Sequence, residues 1–160
     1  MADRRCVHKR IVESDAFYGL PDSAQALYLH LNMAADDDGF VNCAGSIASR
    51  RPRTGKADLK LLTKERFLLQ FGEIYAIKHW RISNTLKNDR LKPLNYPSIA
   101  AQIWVKPNRA YTDHPVDGCV TLYQLKTGQP PESRMESRPE SNLESQPNRT
   151  EPNRTRRGRF

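Results

Sequence analysis

An apolar stripe at helical spacing runs through the segment PDSAQALYLHLNMAA, near the start of the chain. Its members follow the i, i+3, i+4, i+7 pattern that places side chains on one face of a helix, and they are Ala24, Leu27, Tyr28, Leu31 and Ala35. Asp22 and Gln25 resemble a capping box at the start of this helix. A helix with one apolar face is stable in water only when other elements cover that face, so the stripe predicts a helix inside a folded core.

This helix runs into three consecutive aspartates, at positions 36–38, and then into Gly39 in the segment AADDDGFVN. A cation loop of the EF-hand type is excluded, because with Gly39 at the sixth loop position Gly45 stands at the twelfth, which needs an acid. A catalytic carboxylate pair is not favoured, because no proton-transfer partner lies at a known spacing. We therefore predict a turn that ends the helix and leads Phe40 and Val41 into a sheet. Carboxylates at a helix C-terminus oppose the helix dipole, so we expect them to face the basic third helix or the arginines before it.

Shorter patterns predict the remaining elements on either side of this helix. Val7–Val12 is predicted to be extended. Ser14 and Asp15 are predicted to cap a short helical turn through Phe17 and Tyr18.

Two further helices and a hairpin are predicted after the aspartates. One helix begins with Asn42 as its N-cap and runs to Arg51, where Pro52 ends it. Thr54 is predicted to cap a third helix over GKADLKLLTKERF. The segment LLQFGEIYAIKHW holds two apolar runs around Gly72-Glu73, which predicts a β-hairpin. The order strand, helix, helix, helix, hairpin predicts an α+β winged helix-turn-helix, in which a three-helix core carries a β-hairpin wing.

The third helix separates leucines from lysines. Leu59 and Leu62 fall on one side of a helical wheel, and Lys56, Lys60 and Lys64 fall on the other. Arginines precede and follow this helix, and such a basic face suits the phosphates of DNA, although a merely solvated lysine face is the competing interpretation. The predicted DNA-binding set adds one lysine of the hairpin and two cations of the stretch KNDRLKP. It consists of Arg50, Arg51, Arg53, Lys56, Lys60, Lys64, Arg66, Lys78, Lys87 and Arg90.

The balance of charge points in the same direction. The chain of 160 residues has a formal net charge of +8, which favours a polyanionic partner. Most of this excess lies in residues 1–128, before the composition changes. The rest has few bulky apolar residues, repeats Glu-Ser from residue 132 onwards, and contains PNRT twice. Such a segment buries too little apolar surface to offset its chain entropy, so residues 129–160 are expected to be a disordered low-complexity tail.

The residues that could carry chemistry form no catalytic or metal-binding pattern. The three cysteines are far apart, so no disulfide framework is expected and the cytosol is the expected compartment. Cys6-Val7-His8 is too short a spacing for zinc, His30 falls off the apolar stripe, and His79-Trp80 in the wing strand is predicted to be packing. No P-loop, dinucleotide turn or Ser-His-Asp order is visible. We therefore expect no enzyme and no cofactor or metal. The sequence also has no apolar run of membrane length and no export signal at the start, so we expect no membrane partner.

Several of these segments together resemble a known family. ESDAFYGLPDSAQALYLHLNMAADDDGFVN, then DLKLL and KERFLL, then AIKHWRISNTLKNDRLKPLNY are similar to the N-terminal module of phage replisome organisers. These are DnaD-like replication initiation proteins of phages and prophages in low-GC Gram-positive bacteria. The resemblance covers roughly residues 5–125, and the most specific pieces are SAQALYLHLNM–ADDDGF and IKHW–ISN–KNDR–KP.

The resemblance implies a winged helix that binds double-stranded origin DNA in the bacterial host cytosol and helps to assemble the replisome. It implies recruitment of the host helicase or its loader as partners, and a homo-oligomer is expected as well. Two departures affect these implications: the segment GSIASRRPRT replaces the usual turn before the third helix, and the second helical domain of longer relatives is replaced by the repetitive tail. The division expected from all these patterns is a winged-helix domain at 1–94, a small α/β extension at 95–128 packed on it, and the tail at 129–160.

Alternative functions stay open at this level. The same fold serves as an oligomerisation or protein-interaction module of the primosome, through the strand edges of the wing and of the N-terminal strand. It also serves phage transcriptional regulators, which use the same groove contacts. Initiators of this kind often have their origin inside their own coding DNA, so the amino-acid repeats of the tail suggest repeated binding sites in the DNA that encodes it; a plain linker or a frameshifted remnant are the other readings.

Overall fold

In the computed structural model, the described residues are 4–84 and 93–128. They form a mixed α+β fold with short helices and two antiparallel sheets of three strands each. The α+β class expected from the sequence is therefore confirmed. The stretch KNDR and the repetitive tail predicted at 129–160 lie outside the described residues.

Two short helices precede the long one. Helix α1 spans Lys9–Val12 and α2 spans Asp15–Tyr18, where the Ser14 hydroxyl accepts the N–H of Phe17 as predicted. The extended prediction for Val7–Val12 is wrong. His8 has extended dihedrals, and its Nδ1 accepts the N–H of Arg10, so a side-chain cap begins a helical turn inside the segment that was expected to be extended.

Helix α3 spans Asp22–Ala34 and carries the predicted apolar stripe. All five residues of the stripe are buried, which confirms the prediction: Ala24, Leu27, Tyr28, Leu31 and Ala35. The capping box is not formed, because Pro21 occupies the N-cap position and Asp22 is already helical. Gln25 instead donates its side-chain amide to the carbonyl of Leu20.

The aspartates form the predicted turn between α3 and strand β1, which spans Phe40–Val41. Asp36 Oδ1 accepts the N–H groups of Asp38 and Phe40, as expected of an Asx turn. Gly39 has a φ of +85°, and a Cβ at this position would lie 2.4 Å from Cγ of Trp80. Both the backbone conformation and the indole therefore require glycine here.

Helices α4 and α5 follow, over Ala44–Ser49 and Gly55–Lys64. Their predicted caps are not formed: Cys43 rather than Asn42 occupies the N-cap of α4, and the Thr54 side chain makes no capping bond. The reason at Thr54 is that a tight turn leads into α5, in which the N–H groups of Thr54 and Gly55 both donate to the carbonyl of Arg51. Helix α5 also ends earlier than predicted, because Arg66 has a φ of +62° and redirects the chain into the sheet.

The hairpin predicted around Gly72-Glu73 is confirmed. Strand β2 spans Leu68–Phe71 and pairs antiparallel with β3 at Ile74–Ile77, while β1 pairs with the other edge of β3. The first sheet therefore has the order β1-β3-β2. The placement of His79-Trp80 in the wing strand is wrong, because β3 ends at Ile77 and Trp80 begins helix α6, Trp80–Ser83. The indole is buried and donates to the carbonyl of Asp37, so it does pack as expected.

The remaining described residues form a second sheet between two helices. Helix α7 spans Pro97–Ala100 and α8 spans Leu122–Thr127. Between them lie strand β4 at Trp104–Val105, β5 at Tyr111–Thr112 and β6 at Val120–Thr121. Their apolar residues join the same core cluster as α3 and the first sheet. The buried Tyr111 hydroxyl donates to the carbonyl of Asp38, which ties β5 to the turn before β1. A domain boundary at residue 94 stays a prediction, since the residues just before it lie outside the described part.

Among the described residues, no helix combines the length and the apolar character needed to cross a membrane. The longest of them, α3, has 13 residues.

Candidate nucleic-acid interface

Helix α5 is held against the core by its leucine face. Leu59 and Leu62 are buried, and α5 packs against both α3 and α4. The opposite side carries Lys56, Lys60 and Lys64, all of which are exposed. The structure thus brings three ammonium groups together at one-turn spacing on a helix whose other face is fixed.

The approach to this helix is a turn rich in arginine. Arg50 and Arg53 are exposed on either side of Pro52, and they extend the positive surface beyond the first turn of α5. Arg51 differs from them because it is half-buried and points its Nη1 towards the carbonyl of Ser23, at 3.5 Å. Two of the three predicted arginines are therefore available to a ligand on this surface, and Arg51 serves mainly to connect the turn to α3.

The position of α5 depends on a close approach between its first turn and the backbone of α4, which only glycine allows. A Cβ on Gly55 would lie 1.9 Å from the carbonyl oxygen of Ala48, so the first turn of α5 rests directly on the backbone of α4. The distance between these helices is therefore set by backbone contact, which fixes where the first lysine of the stripe lies.

A buried carboxylate lies on the inner side of the same helix. Asp58 is 4% exposed, and its Oδ1 accepts the hydroxyl of Ser23 at 3.1 Å, while Oδ2 has no partner among the described residues. This bond joins α5 to the first turn of α3. Asp58 was not singled out in the sequence, although its spacing of four from Leu62 was a signal that it shares the inward face.

The predicted contact at Arg66 has a partner within the protein. Its Nη1 and Nη2 donate to the two carboxylate oxygens of Asp113, at 2.9 and 2.6 Å. These bonds hold the pKa of Asp113 well below its usual range, with a smaller contribution from His114. Asp113 was not singled out in the sequence, because it lies 47 residues from Arg66 and no local pattern joins them.

Lys78 lies close to Arg66 rather than on the α5 face. Its N–H donates to the carbonyl of Phe67, and its own carbonyl accepts the N–H of Tyr111. Burial lowers the pKa of Lys78, and the positive charges of Arg66 and Lys106 lower it further. The ten predicted residues therefore divide into an α5 group with its arginine turn and a second group around Lys78, while Lys87 and Arg90 lie outside the described residues.

The expectation that the aspartates face the third helix is wrong. Asp37 pairs with Arg5 at 3.3 Å, Asp38 pairs with Lys126 at 2.7 Å, and Asp36 accepts the side-chain amide of Asn95 at 2.8 Å. Their partners thus come from the N-terminal segment and from the second half of the chain. The reason is topological, because the turn lies at the end of α3 where β1 enters the sheet, and the first turn of α5 lies against α4 instead.

The histidines and acids of the described residues were also predicted to form no metal site. His30 is exposed, as predicted, and within residues 4–84 and 93–128 no three groups among His, Cys, Asp and Glu converge to hold a metal. His79 packs its ring edge-on against Phe67, and burial lowers its pKa to about 4. It is therefore a neutral packing residue at physiological pH.

Comparison with known proteins adds no relative. No family model matches this chain, and neither a curated protein nor a solved structure matches it. What supports a function for this chain is therefore the geometry of α5 and of the cations around it.

Proposed function

We propose that this chain is a replication initiation protein of a phage or prophage, which binds double-stranded origin DNA in the bacterial host cytosol and acts by binding rather than by catalysis. The observation that carries the proposal is the exposed stripe of Lys56, Lys60 and Lys64 on a helix whose leucines are buried. A helix that is fixed on one side and cationic on the other presents a rigid positive surface to a polyanion.

The finer fold proposed here is a winged helix-turn-helix. Its support is the order α3, β1, α4, α5, β2, β3 together with the strand order β1-β3-β2, in which the hairpin follows α5 directly. In this fold the second helix of the helix-turn-helix enters the major groove. Helix α5 takes that role, and α4 takes the role of the helix that crosses the backbone.

The proposed contacts are mainly with phosphates. Lysine ammonium groups are compact point charges, and each phosphate that they neutralise releases condensed counterions. Arg50 and Arg53 extend the same surface at the start of the helix, where guanidinium groups can also bond to guanine edges. Helix α5 itself has no asparagine or glutamine, so adenine readout is assigned to residues elsewhere or to DNA shape.

The role in replication comes from the family resemblance. Replisome organisers bind the phage origin and recruit the host helicase or its loader, and we propose the same order of events for this chain, as a homo-oligomer. The repeated coding DNA of residues 129–160 is the proposed location of the binding sites, because regularly repeated sites suit an oligomer of identical DNA-binding units.

A second candidate function is an assembly module of the primosome. It is favoured by exposed apolar side chains on helices other than α5: Tyr18 is 66% exposed, Leu29 44% and Met33 59%. A cavity of about 580 Å³ beside Met33 is bordered by Ile47 and Arg50. Exposed apolar groups next to a cavity are typical of protein-binding surfaces.

The test is fluorescence anisotropy of the full chain with two labelled duplexes of equal length. One carries the DNA that encodes residues 129–160, and the other is its scrambled counterpart. The proposal predicts binding to both at low salt and a preference of at least about 100-fold for the coding repeats at physiological salt. Equal binding would refute the location of the origin. Absence of binding to either duplex, together with a stable oligomer in sedimentation, would favour the assembly module.

A further inference from the structure

A second group of cations lies where the first sheet meets the second. We call it the seam cluster, and it consists of Arg66, Lys78 and Lys106. Arg66 follows the end of α5, Lys78 follows strand β3, and Lys106 follows strand β4. Residues from three distant parts of the chain are thus brought to one place by the fold.

Backbone hydrogen bonds fix this meeting point. Lys78 is bonded to Phe67 on one side and to Tyr111 on the other, so it bridges the end of the first sheet and the start of β5. The N–H of Lys106 donates to the carbonyl of Ala110 and so closes the turn between β4 and β5. The cations are therefore attached to rigid backbone rather than to free loops.

Within residues 4–84 and 93–128, the cluster has more positive charge than its ion-pair partners neutralise. Asp113 forms two bonds to the guanidinium of Arg66, whereas Lys78 and Lys106 form no ion pair with any residue in the described part of the chain. Burial lowers the pKa of Lys78, and the nearby positive charges of Arg66 and Lys106 lower it further. The two bonds to Asp113 also use only two of the five N–H donors of the Arg66 side chain.

We propose that the seam cluster is a second phosphate-binding surface, in which Lys106 and Lys78 contact the backbone of the same duplex that α5 binds, next to an Arg66 guanidinium held in place by Asp113. The inference rests on the proposed DNA-binding function and adds the second half of the chain to the interface. Lys106, which no sequence pattern singled out, is the new contact residue.

The position of the cluster supports a nucleic-acid phosphate as its ligand. Arg66 lies two residues beyond Lys64, the last lysine of the α5 stripe, so the two basic surfaces adjoin. A duplex carries phosphates at regular intervals along both strands, and one ligand can therefore neutralise two adjoining groups of cations. A single small anion could neutralise the seam cluster but could not reach the α5 stripe at the same time.

The test compares the full chain with two variants, each of which loses one lysine charge and keeps a long side chain. Lys106→Gln removes the proposed contact, and Lys9→Gln removes an exposed lysine of α1 as the matched control. Binding to a labelled duplex is measured by anisotropy over a series of salt concentrations. Lys106→Gln is expected to raise the Kd several-fold and to make the slope of log K against log salt less negative by about 0.9, while Lys9→Gln leaves both unchanged.

A shorter duplex sharpens the assignment. When the duplex is truncated so that it covers only the α5 stripe, the difference between Lys106→Gln and the wild type is expected to disappear. The inference is overturned if Lys106→Gln and Lys9→Gln bind the long duplex equally while removal of the α5 lysines abolishes binding, and in that case the proposed function stands. If Lys106→Gln weakens binding but removal of the α5 lysines does not, the seam cluster is the DNA surface and the assignment of α5 fails.

Discussion

Nζ of Lys126 in α8 lies 2.7 Å from Oδ1 of Asp38, and both side chains are only 3% exposed. The pair joins the C-terminal end of the described chain to the turn that follows α3. Burial raises the pKa of Asp38 even though the hydrogen bond and charge of Lys126 act in the opposite direction. Burial thus outweighs the attraction of Lys126, which offsets only part of the free-energy cost of burying the Asp38 carboxylate.

The first prediction concerns removal of one member of this pair. Lys126→Met is expected to lower the free energy of unfolding by about 3–5 kcal/mol, because it leaves the buried carboxylate of Asp38 without its counter-charge. Urea denaturation measures the loss, with Lys9→Met as the control for an exposed pair, which is expected to change stability by about 0.5 kcal/mol at most. The double variant Asp38→Asn/Lys126→Met is expected to be less destabilised than the sum of the single variants. Strict additivity would show that the pair is not coupled.

The second prediction concerns pH. The folded-state pKa of His79 is lowered from 6.5 to about 4 by burial and, to a smaller extent, by Lys78. Because the pKa is lower in the folded state, the unfolded chain binds a proton at His79 at a higher pH than the folded chain does. The contribution of the neutral His79 to the free energy of unfolding is therefore complete above about pH 6.5 and is lost as the pH falls towards about 4. The loss amounts to about 3 kcal/mol.

The variant His79→Gln isolates this effect. It is expected to lose about 3 kcal/mol less than the wild type between neutral pH and about pH 4, as measured by urea denaturation at each pH. His30→Gln, at an exposed position of α3, is the matched control and is expected to follow the wild type. Identical pH profiles for His79→Gln and the wild type would contradict the burial of a neutral imidazole at this site.

The third prediction concerns the contact between α4 and α5. Gly55→Ala is expected to destabilise the fold by at least about 2 kcal/mol and to weaken DNA binding, because the added Cβ would meet the carbonyl of Ala48 at 1.9 Å and push α5 outwards. Gly45→Ala is the control within the neighbouring helix. It meets no atom within 4 Å, so it is expected to be neutral or stabilising by up to about 1 kcal/mol. Thermal unfolding distinguishes the two, and equal melting temperatures would contradict the close approach of the helices.

Local patterns were sufficient for the elements that depend on local physics. The stripe from Ala24 to Ala35 could be predicted because a helix repeats its faces within the sequence, and the hairpin at Gly72-Glu73 because a turn joins adjacent strands. The caps at Asp22 and Thr54 failed for a different reason. There the backbone enters the helix from Pro21 or from a tight turn, and the geometry of that entry decides which donors remain free.

The partners of the charged residues could not be predicted from local patterns. Asp38 pairs with a lysine 88 residues away, and Arg66 pairs with an aspartate 47 residues away. Charge alone gives no preference among the many cations of a basic chain, since the choice depends on which surfaces the folded backbone brings together. This is why the lysine stripe of α5 could be predicted, whereas the partners of Asp36–Asp38 and the contribution of Lys106 to the seam cluster could not.

The fourth prediction is that the α5 stripe loses its phosphate contacts when its lysines are removed. The variant Lys56→Ala/Lys60→Ala/Lys64→Ala removes the three exposed charges and keeps a residue with high helix propensity at each position. The matched control is Arg4→Ala/Lys9→Ala/Arg10→Ala, which removes three exposed charges from the N-terminal segment.

The most direct measurement is the salt dependence of duplex binding by the full chain and these two variants. The α5 variant is expected to bind more weakly and to have a slope of log K against log salt that is less negative by about 2.7, that is, about 0.9 for each of three lost phosphate contacts. The control is expected to keep the wild-type slope. If the α5 variant keeps the wild-type slope and affinity, or if both variants change equally, the α5 stripe is not the DNA-binding surface.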